Sequence, residues 1–156
     1  MSQNQRIAVI TLDEKSVIRR SPQVEHERKV AIFDLLEENE FAPVNIDQGP
    51  YHVQLGVEES RLIFEVQTDS GIQLTIIGLS LKSFRRIIKD YFLICESYFD
   101  AIKTKAPSQI ETIDMARRGL HNEGAELLRD RLIEKVEIDV DTARRLFTLI
   151  CVLHAR

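Results

Sequence analysis

The chain has 156 residues, 44% hydrophobic and 29% charged, with a formal net charge of −4. That balance excludes extended disorder and supplies no global field toward nucleic acid or an anionic membrane. The longest strongly apolar run, Leu146 to Leu153, is far too short to span a bilayer, and the opening MSQNQR lacks a secretory apolar segment, so the reading is a cytoplasmic protein folded as a single α+β domain over residues 1–156.

Ile7 to Leu12 (IAVITL) is short, apolar and rich in β-formers, which predicts a strand. Asp13 to Arg20 reads as a polar loop, and Ser21-Pro22 as an N-cap followed by proline at the first helical position. The helix from Pro22 to Asn39 places Val24, Ala31, Ile32, Leu35 and Leu36 on one face, with Arg28 inside that stripe. His26, Val30 and Phe33 form a second, smaller line, which suits contact on two sides by a loop or by a second copy of the chain. Phe41 to Pro50, with two prolines and a glycine, reads as an irregular crossing. Three alternating strands follow, with core-facing sets Tyr51, Val53, Leu55 and Val57, then Leu62, Phe64 and Val66, then Ile72, Leu74 and Ile76. Glu58 to Ser60 and Asp69 to Gly71 are short enough to close hairpins. Ile63 and Ile77 fall on the nominally wet side and imply partial cover there.

Ser80 to Lys103 has the cleanest register. Leu81, Phe84, Ile88, Tyr91, Cys95, Tyr98 and Ile102 recur at steps of three and four, so this helix is expected at the centre of the packing. Ala106-Pro107-Ser108 breaks the chain, and Ser108 with Glu111 forms a capping-box pattern for a helix reaching about Lys135, with Ile113, Ala116, Leu120, Leu127 and Leu128 as its seam. Asp139 to Thr142 offers caps for a last helix, Ala143 to His154, apolar over most of its surface. The fold expected is α+β in the order β-α-β-β-β-α-α-α, a four-stranded, mainly antiparallel sheet with helices packed on one face.

Chemistry concentrates in ARRGLHNEG, Ala116 to Gly124. At 100° per residue Arg117 lies close to Ile113, Leu120 and Gly124 on the face that should be buried, so its guanidinium needs a partner. Either a carboxylate from a neighbouring helix neutralises it, or it binds an anion, with His121 donating a hydrogen bond and Glu123 on the opposite edge. Gly119 and Gly124, each costing about 1 kcal/mol inside a helix, imply close backbone approach, room for a ligand, or a break. Arg28 and Arg86 are auxiliary anion-binding candidates; Arg86 shares a polar face with Lys82 and Lys89 at the start of the central helix, where free N–H groups favour anions. His26 between Glu25 and Glu27 is a proton-transfer candidate only if the side chains meet; His52 reads as a wet-face strand residue and His154 as a helix-end cation. Cys95 and Cys151, each in an apolar helical pattern, fit buried thiols in a reducing compartment. The residues identify no metal set and no cofactor.

The segments EHERKVAIFDLLEENEFAP, FRRIIKDYFLICESYFDAI, MARRGLHNEGAELL and TARRLFTLICVLHAR together resemble an uncharacterised bacterial protein family over nearly the whole chain. The resemblance implies a stand-alone bacterial cytoplasmic domain and carries over no site residue. Three functions stay open. One is an interaction or regulatory module that associates with itself or another protein, motivated by the two-sided first helix and by Leu93 on a polar face. Another is a binding protein or enzyme for a small phosphate or carboxylate ligand, using Arg117 and His121. The third is nucleic-acid binding through the adjacent arginine pairs Arg19-Arg20, Arg85-Arg86, Arg117-Arg118 and Arg144-Arg145.

Overall fold

The computed structural model describes residues 4–13 and 21–154, so most of the expected loop after Asp13, with Arg19 and Arg20, lies outside the described residues. Strand β1 (Ile7–Leu12) leads through helix α1 (Pro22–Glu37) and a short strand β2 (Phe41–Pro43) to the meander β3 (Tyr51–Glu58), β4 (Arg61–Thr68) and β5 (Gln73–Ser80). Helices α2 (Arg85–Thr104) and α3 (Pro107–Leu132) follow, then strand β6 (Val136–Ile138) and helix α4 (Val140–His154). The main sheet has the order β1-β3-β4-β5, with β1 parallel to β3 and the remaining pairs antiparallel. The parallel pair requires a long connection, and α1 supplies it.

Local chemistry fixes the element ends. Ser21 Oγ accepts from Val24 N at 3.2 Å to start α1. Past the end of α1, Asn39 acts as a clamp: its Oδ1 accepts from Ile7 N at 2.7 Å, while its Nδ2 donates to Ile7 O at 3.0 Å and Leu35 O at 2.7 Å. One side-chain amide thus ties the helix end to the first residue of β1. The β3–β4 turn holds Glu59 at φ 50° and Ser60 at φ 64°, and Gly71 at φ 90° supplies the left-handed residue of the next hairpin. Asp139 Oδ1 accepts from Thr142 N at 3.0 Å, so the cap lies at the first of the expected positions and α4 starts at Val140 rather than Ala143. Helix α3 begins two residues before the Ser108–Glu111 pattern places it, with Ala106 rather than Ser108 at the N-cap: Gln109 Oε1 accepts from Ala106 N at 3.4 Å, and Ser108 sits inside the first turn.

One face of the sheet is buried by Val53, Leu55, Leu62, Phe64, Val66, Ile77 and Leu79, and the helices cover it. The phase of β5 differs from its expected one. Ile77 and Leu79 face the core, whereas Ile72 and Ile76 are exposed. Gln67 pairs with Gln73 but Val66 pairs with Thr75, leaving Leu74 as an extra residue, and that bulge inverts the alternation. The segment expected to be wholly irregular, Phe41 to Pro50, contains β2, whose Phe41, Ala42 and Pro43 pair with Ile138, Glu137 and Val136 of β6. Accordingly α3 ends at Leu132 rather than near Lys135.

The centre of packing also differs from its expected place. The seam of α2 is buried at Ile88, Tyr91 and Cys95 but fades beyond them, with Ile102 at 51% exposure. Its first turn is separate: Leu81–Ser83 forms a 3-10 turn capped by Ser80 Oγ. The role falls to α4, which buries Thr142, Ala143, Leu146, Phe147, Leu149, Ile150, Cys151 and Val152 and packs against both α1 and α3. Roughly 1.5–3 kcal/mol per fully buried large side chain makes this short helix the strongest hydrophobic contributor among the four.

Candidate functional site

Helices α1, α3 and α4, with Tyr91 from α2, enclose a cleft of about 500 Å³. Helix α3 runs unbroken through Gly119 and Gly124 and presents Arg117, Arg118, His121 and Asn122 to it. Helix α4 presents Arg144, Arg145 and Thr148, and α1 forms the other wall with His26, Glu27, Val30, Ala31 and Asp34. The two basic walls share a local pattern: an arginine pair followed one turn later by a neutral polar residue, which puts all three groups on one helix face.

The glycines have different reasons. Gly119 has nothing within 4 Å of the position its Cβ would take, so no packing demands it. A Cβ on Gly124 would collide with the Phe147 ring, so α3 and α4 approach this closely only because that side chain is missing. Phe147 in turn is fully buried and backs two of the rings that line the cleft: its ring centroid lies 5.4 Å from that of His121 and 6.1 Å from that of Tyr91. Tyr91 and His121 are themselves 5.4 Å apart and tilted, so three rings pack together, Phe147 meeting both others edge to face.

Arg117 is half-buried and neutralised, but by its own helix. Its Nε and Nη2 donate to Asp114 Oδ1 at 3.0 and 2.6 Å, one turn earlier, rather than to a carboxylate of a neighbouring helix. Arg118 Nη2 lies 3.0 Å from the other oxygen of Asp114. The hydrogen bond from Arg117 holds the Asp114 carboxyl below the usual carboxylate range. From α2, Tyr98 supports the same guanidinium, whose Cζ is 4.7 Å from the ring centroid. On α4, Arg144 donates to Asn122 Oδ1 at 3.0 Å and to Asp141 Oδ1 at 3.2 Å, and Arg145 donates to Glu38 O at 3.0 Å. Each guanidinium carries five N–H donors, so all four are held on one side and keep donors unspent.

His121 sits below this rim as a neutral ring. Its Nε2 is 2.7 Å from Thr148 Oγ1, and that hydroxyl lies 3.2 Å from Arg144 O, a carbonyl to which it can only donate. Nε2 therefore carries the proton and donates to Thr148, leaving Nδ1 as an acceptor. Burial, with Arg117 and Arg144 nearby, pulls the imidazole down to about 4. In this state His121 is not a donor to an anion; it accepts. Burial raises the Glu27 carboxyl above its usual range, with Arg117 and His26 pulling against it. Among the described residues neither Glu27 nor Asp34 makes an ion pair with any of the four arginines across the cleft.

Of the five residues named from the sequence for an anion site, Arg117 and His121 come together here and the other three do not, while His26, the proton-transfer candidate, lines the α1 wall. Glu123 is exposed and lines no part of the cleft. Arg28 lies 3.6 Å from Glu25 on the flank of α1, and Arg86, its side chain 95% exposed, lies 3.8 Å from Asp90 on α2. Glu27, Asp34, Arg144, Arg145 and Thr148 join the cleft through tertiary packing; Arg144 and Arg145 show in the sequence as an arginine pair and Glu27 as a neighbour of His26, while nothing there marks Asp34 or Thr148. Both cysteines are buried free thiols, with Cys95 pushed by burial up to about 11. No group of three or more His, Cys, Asp or Glu side chains among the described residues could hold a metal ion, and no helix among them is long and apolar enough to cross a membrane.

A second cleft, about 750 Å³, lies between the small β2–β6 sheet and the end of α3. Its lining is mostly apolar, including Val44, Ile133 and Val140, and Arg129 Nε donates to Ile138 O at 2.9 Å beside it.

Residues 4–156 match the model of an uncharacterised protein family, UPF0262. A UPF0262 protein of Paramagnetospirillum magneticum is 59% identical over 156 residues, covering 100% of this chain and 99% of its own length. Similar proteins from a Ruegeria species and from Rhizobium leguminosarum are 56% and 55% identical over 154 and 151 residues, covering 96% and 97% of this chain and 97% and 96% of theirs. No solved structure matches the chain.

Proposed function

The chain belongs to the uncharacterised family UPF0262, and from its own geometry we propose that it binds a small anionic ligand, a carboxylate or phosphate, in the cleft between α1, α3 and α4. One observation carries the reading: Arg117, Arg118, Arg144 and Arg145 edge the same cleft, each pinned by a partner yet with N–H donors unspent. Pinned guanidiniums lose little entropy on binding and match the planar, bidentate geometry of carboxylate and phosphate. A cleft of this volume suits a metabolite-sized molecule. The free buried thiols accord with a cytoplasmic setting, which belongs to the same proposal.

The test is a thermal-shift series with succinate and inorganic phosphate on the wild type and on an Arg144→Gln, Arg145→Gln double variant. The expected outcome is a rise in melting temperature with at least one anion that the double variant loses. No rise in the wild type at millimolar anion would remove the proposal.

A second reading, self-association, is favoured by Phe33 of α1 and Leu93 of α2, 65% and 53% exposed on otherwise polar surroundings. Sedimentation across a concentration range checks it, and a monomer throughout would end it.

A further inference from the structure

The walls of the cleft carry opposite charge. Helices α3 and α4 bring guanidiniums, whereas α1 brings the carboxyl groups of Glu27 and Asp34, and His121, whose Nδ1 is left as an acceptor, lines the same cleft. If these charges served only to hold α1 against its neighbours, they would pair directly; Arg145 reaches the end of α1 through the Glu38 carbonyl, and among the described residues no ion pair joins Glu27 or Asp34 to an arginine of the facing wall. The space between the walls is open and lined at its sides by Val30, Ala31 and Tyr91, which suit a short apolar stem. A simple dianion would satisfy the basic walls but would face two carboxyl groups, a repulsion that selects against it.

Resting on the anion-binding reading above, we infer that the ligand is amphoteric: a small molecule with a carboxylate or phosphate at one end for the arginines of α3 and α4, and a protonated amine at the other for Glu27 and Asp34. A cationic amine has only donors to offer, which is what these two carboxyl groups and an acceptor nitrogen on His121 require.

A matched set of probes tests this. Glutarate, δ-aminovalerate and cadaverine share one five-atom chain and differ only in their ends, and O-phosphoethanolamine exchanges carboxylate for phosphate. Binding is read by amide chemical shifts of His121 and Thr148 during titration of the full chain. The expected result is that δ-aminovalerate or O-phosphoethanolamine binds on the order of tenfold tighter than glutarate and cadaverine, as one charge-assisted hydrogen-bonded group at each end implies; whichever is tighter identifies the anionic group. A Glu27→Gln, Asp34→Asn variant, isosteric and free of the cost of a half-buried charge, is expected to lose that preference while still binding glutarate. Glutarate binding the wild type as tightly as the amine-bearing probes, with binding lost on Arg144→Gln, overturns this inference and leaves the anion-binding reading standing. No shift with any of the four probes overturns both.

Discussion

Two clefts among the described residues differ in how their charged groups are held, and the larger is the less braced. The one beside the β2–β6 sheet has about 750 Å³, mostly aliphatic walls, one arginine and three carboxyl groups, those of Glu126, Asp130 and Glu137; the other has about 500 Å³ but brings four guanidiniums to face two carboxyl groups. Volume alone therefore says little about where chemistry resides. The difference lies in how the groups are held: Asp114, Tyr98, Asn122 and Glu38 each fix an arginine of the smaller cleft from behind. No comparable support stands behind Ile133, Val44 or Val140, which are simply exposed.

If the ring cluster at the smaller cleft is built as the packing implies, acid should loosen it first. His121 titrates near 6.5 in the unfolded chain and at about 4 in the fold, so between those values the unfolded state binds the extra proton and stability falls as pH is lowered. The loss is expected to reach roughly 3 kcal/mol at most, partly offset below the point where Glu27, whose carboxyl is shifted in the opposite sense, begins to take up its proton. Urea midpoints measured across this window should slope steeply for the wild type and far less for His121→Gln; equal slopes would dissolve the contrast between the clefts.

The next largest effect belongs to Gly124. Gly124→Ala drives a methyl group into Phe147 and through it into His121 and Tyr91; the overpacking should cost about 2 kcal/mol net of improved helix propensity. Gly119→Ala on the same helix meets nothing and should stabilise by up to about 1 kcal/mol, so chemical denaturation of the two variants should move in opposite directions. Smallest is Ile133→Ser at the edge of the larger cleft. With Ile133 71% exposed, its stability should change by less than about 0.5 kcal/mol, and a larger loss would mean that this cleft too is a packed, organised site.

Much of this was legible in the chain and some was not, for identifiable reasons. Long periodic segments declared themselves: all four helices and the four strands of the main sheet follow from spacing. Strands β2 and β6 did not, because three residues carry no periodicity and their pairing joins Phe41 to Ile138 across most of the chain. Helix α2 has the cleaner register, but α4 is the more deeply buried, since periodicity records which face is apolar and not how many neighbours cover it. The phase of β5 was ambiguous because Ile76 and Ile77 are adjacent and equally apolar; only the bulge at Leu74 decides between them. Arg117 was conspicuous because helical phase set a charge on an apolar seam. Arg144, Arg145 and Glu27 stood out only as an arginine pair and as a neighbour of His26, and their shared place became visible only where three helices meet.

The hydrogen bond from Glu40 N to Thr142 Oγ1, 3.0 Å long, spans 102 residues of sequence. During translation, then, the acidic wall leaves the ribosome early and waits, while half of the basic wall arrives only once Arg144 and Arg145 have emerged. A ligand recognised by both walls would hold α1 against α3 and α4, so its presence would favour chains in which those helices have docked over chains in which they have not.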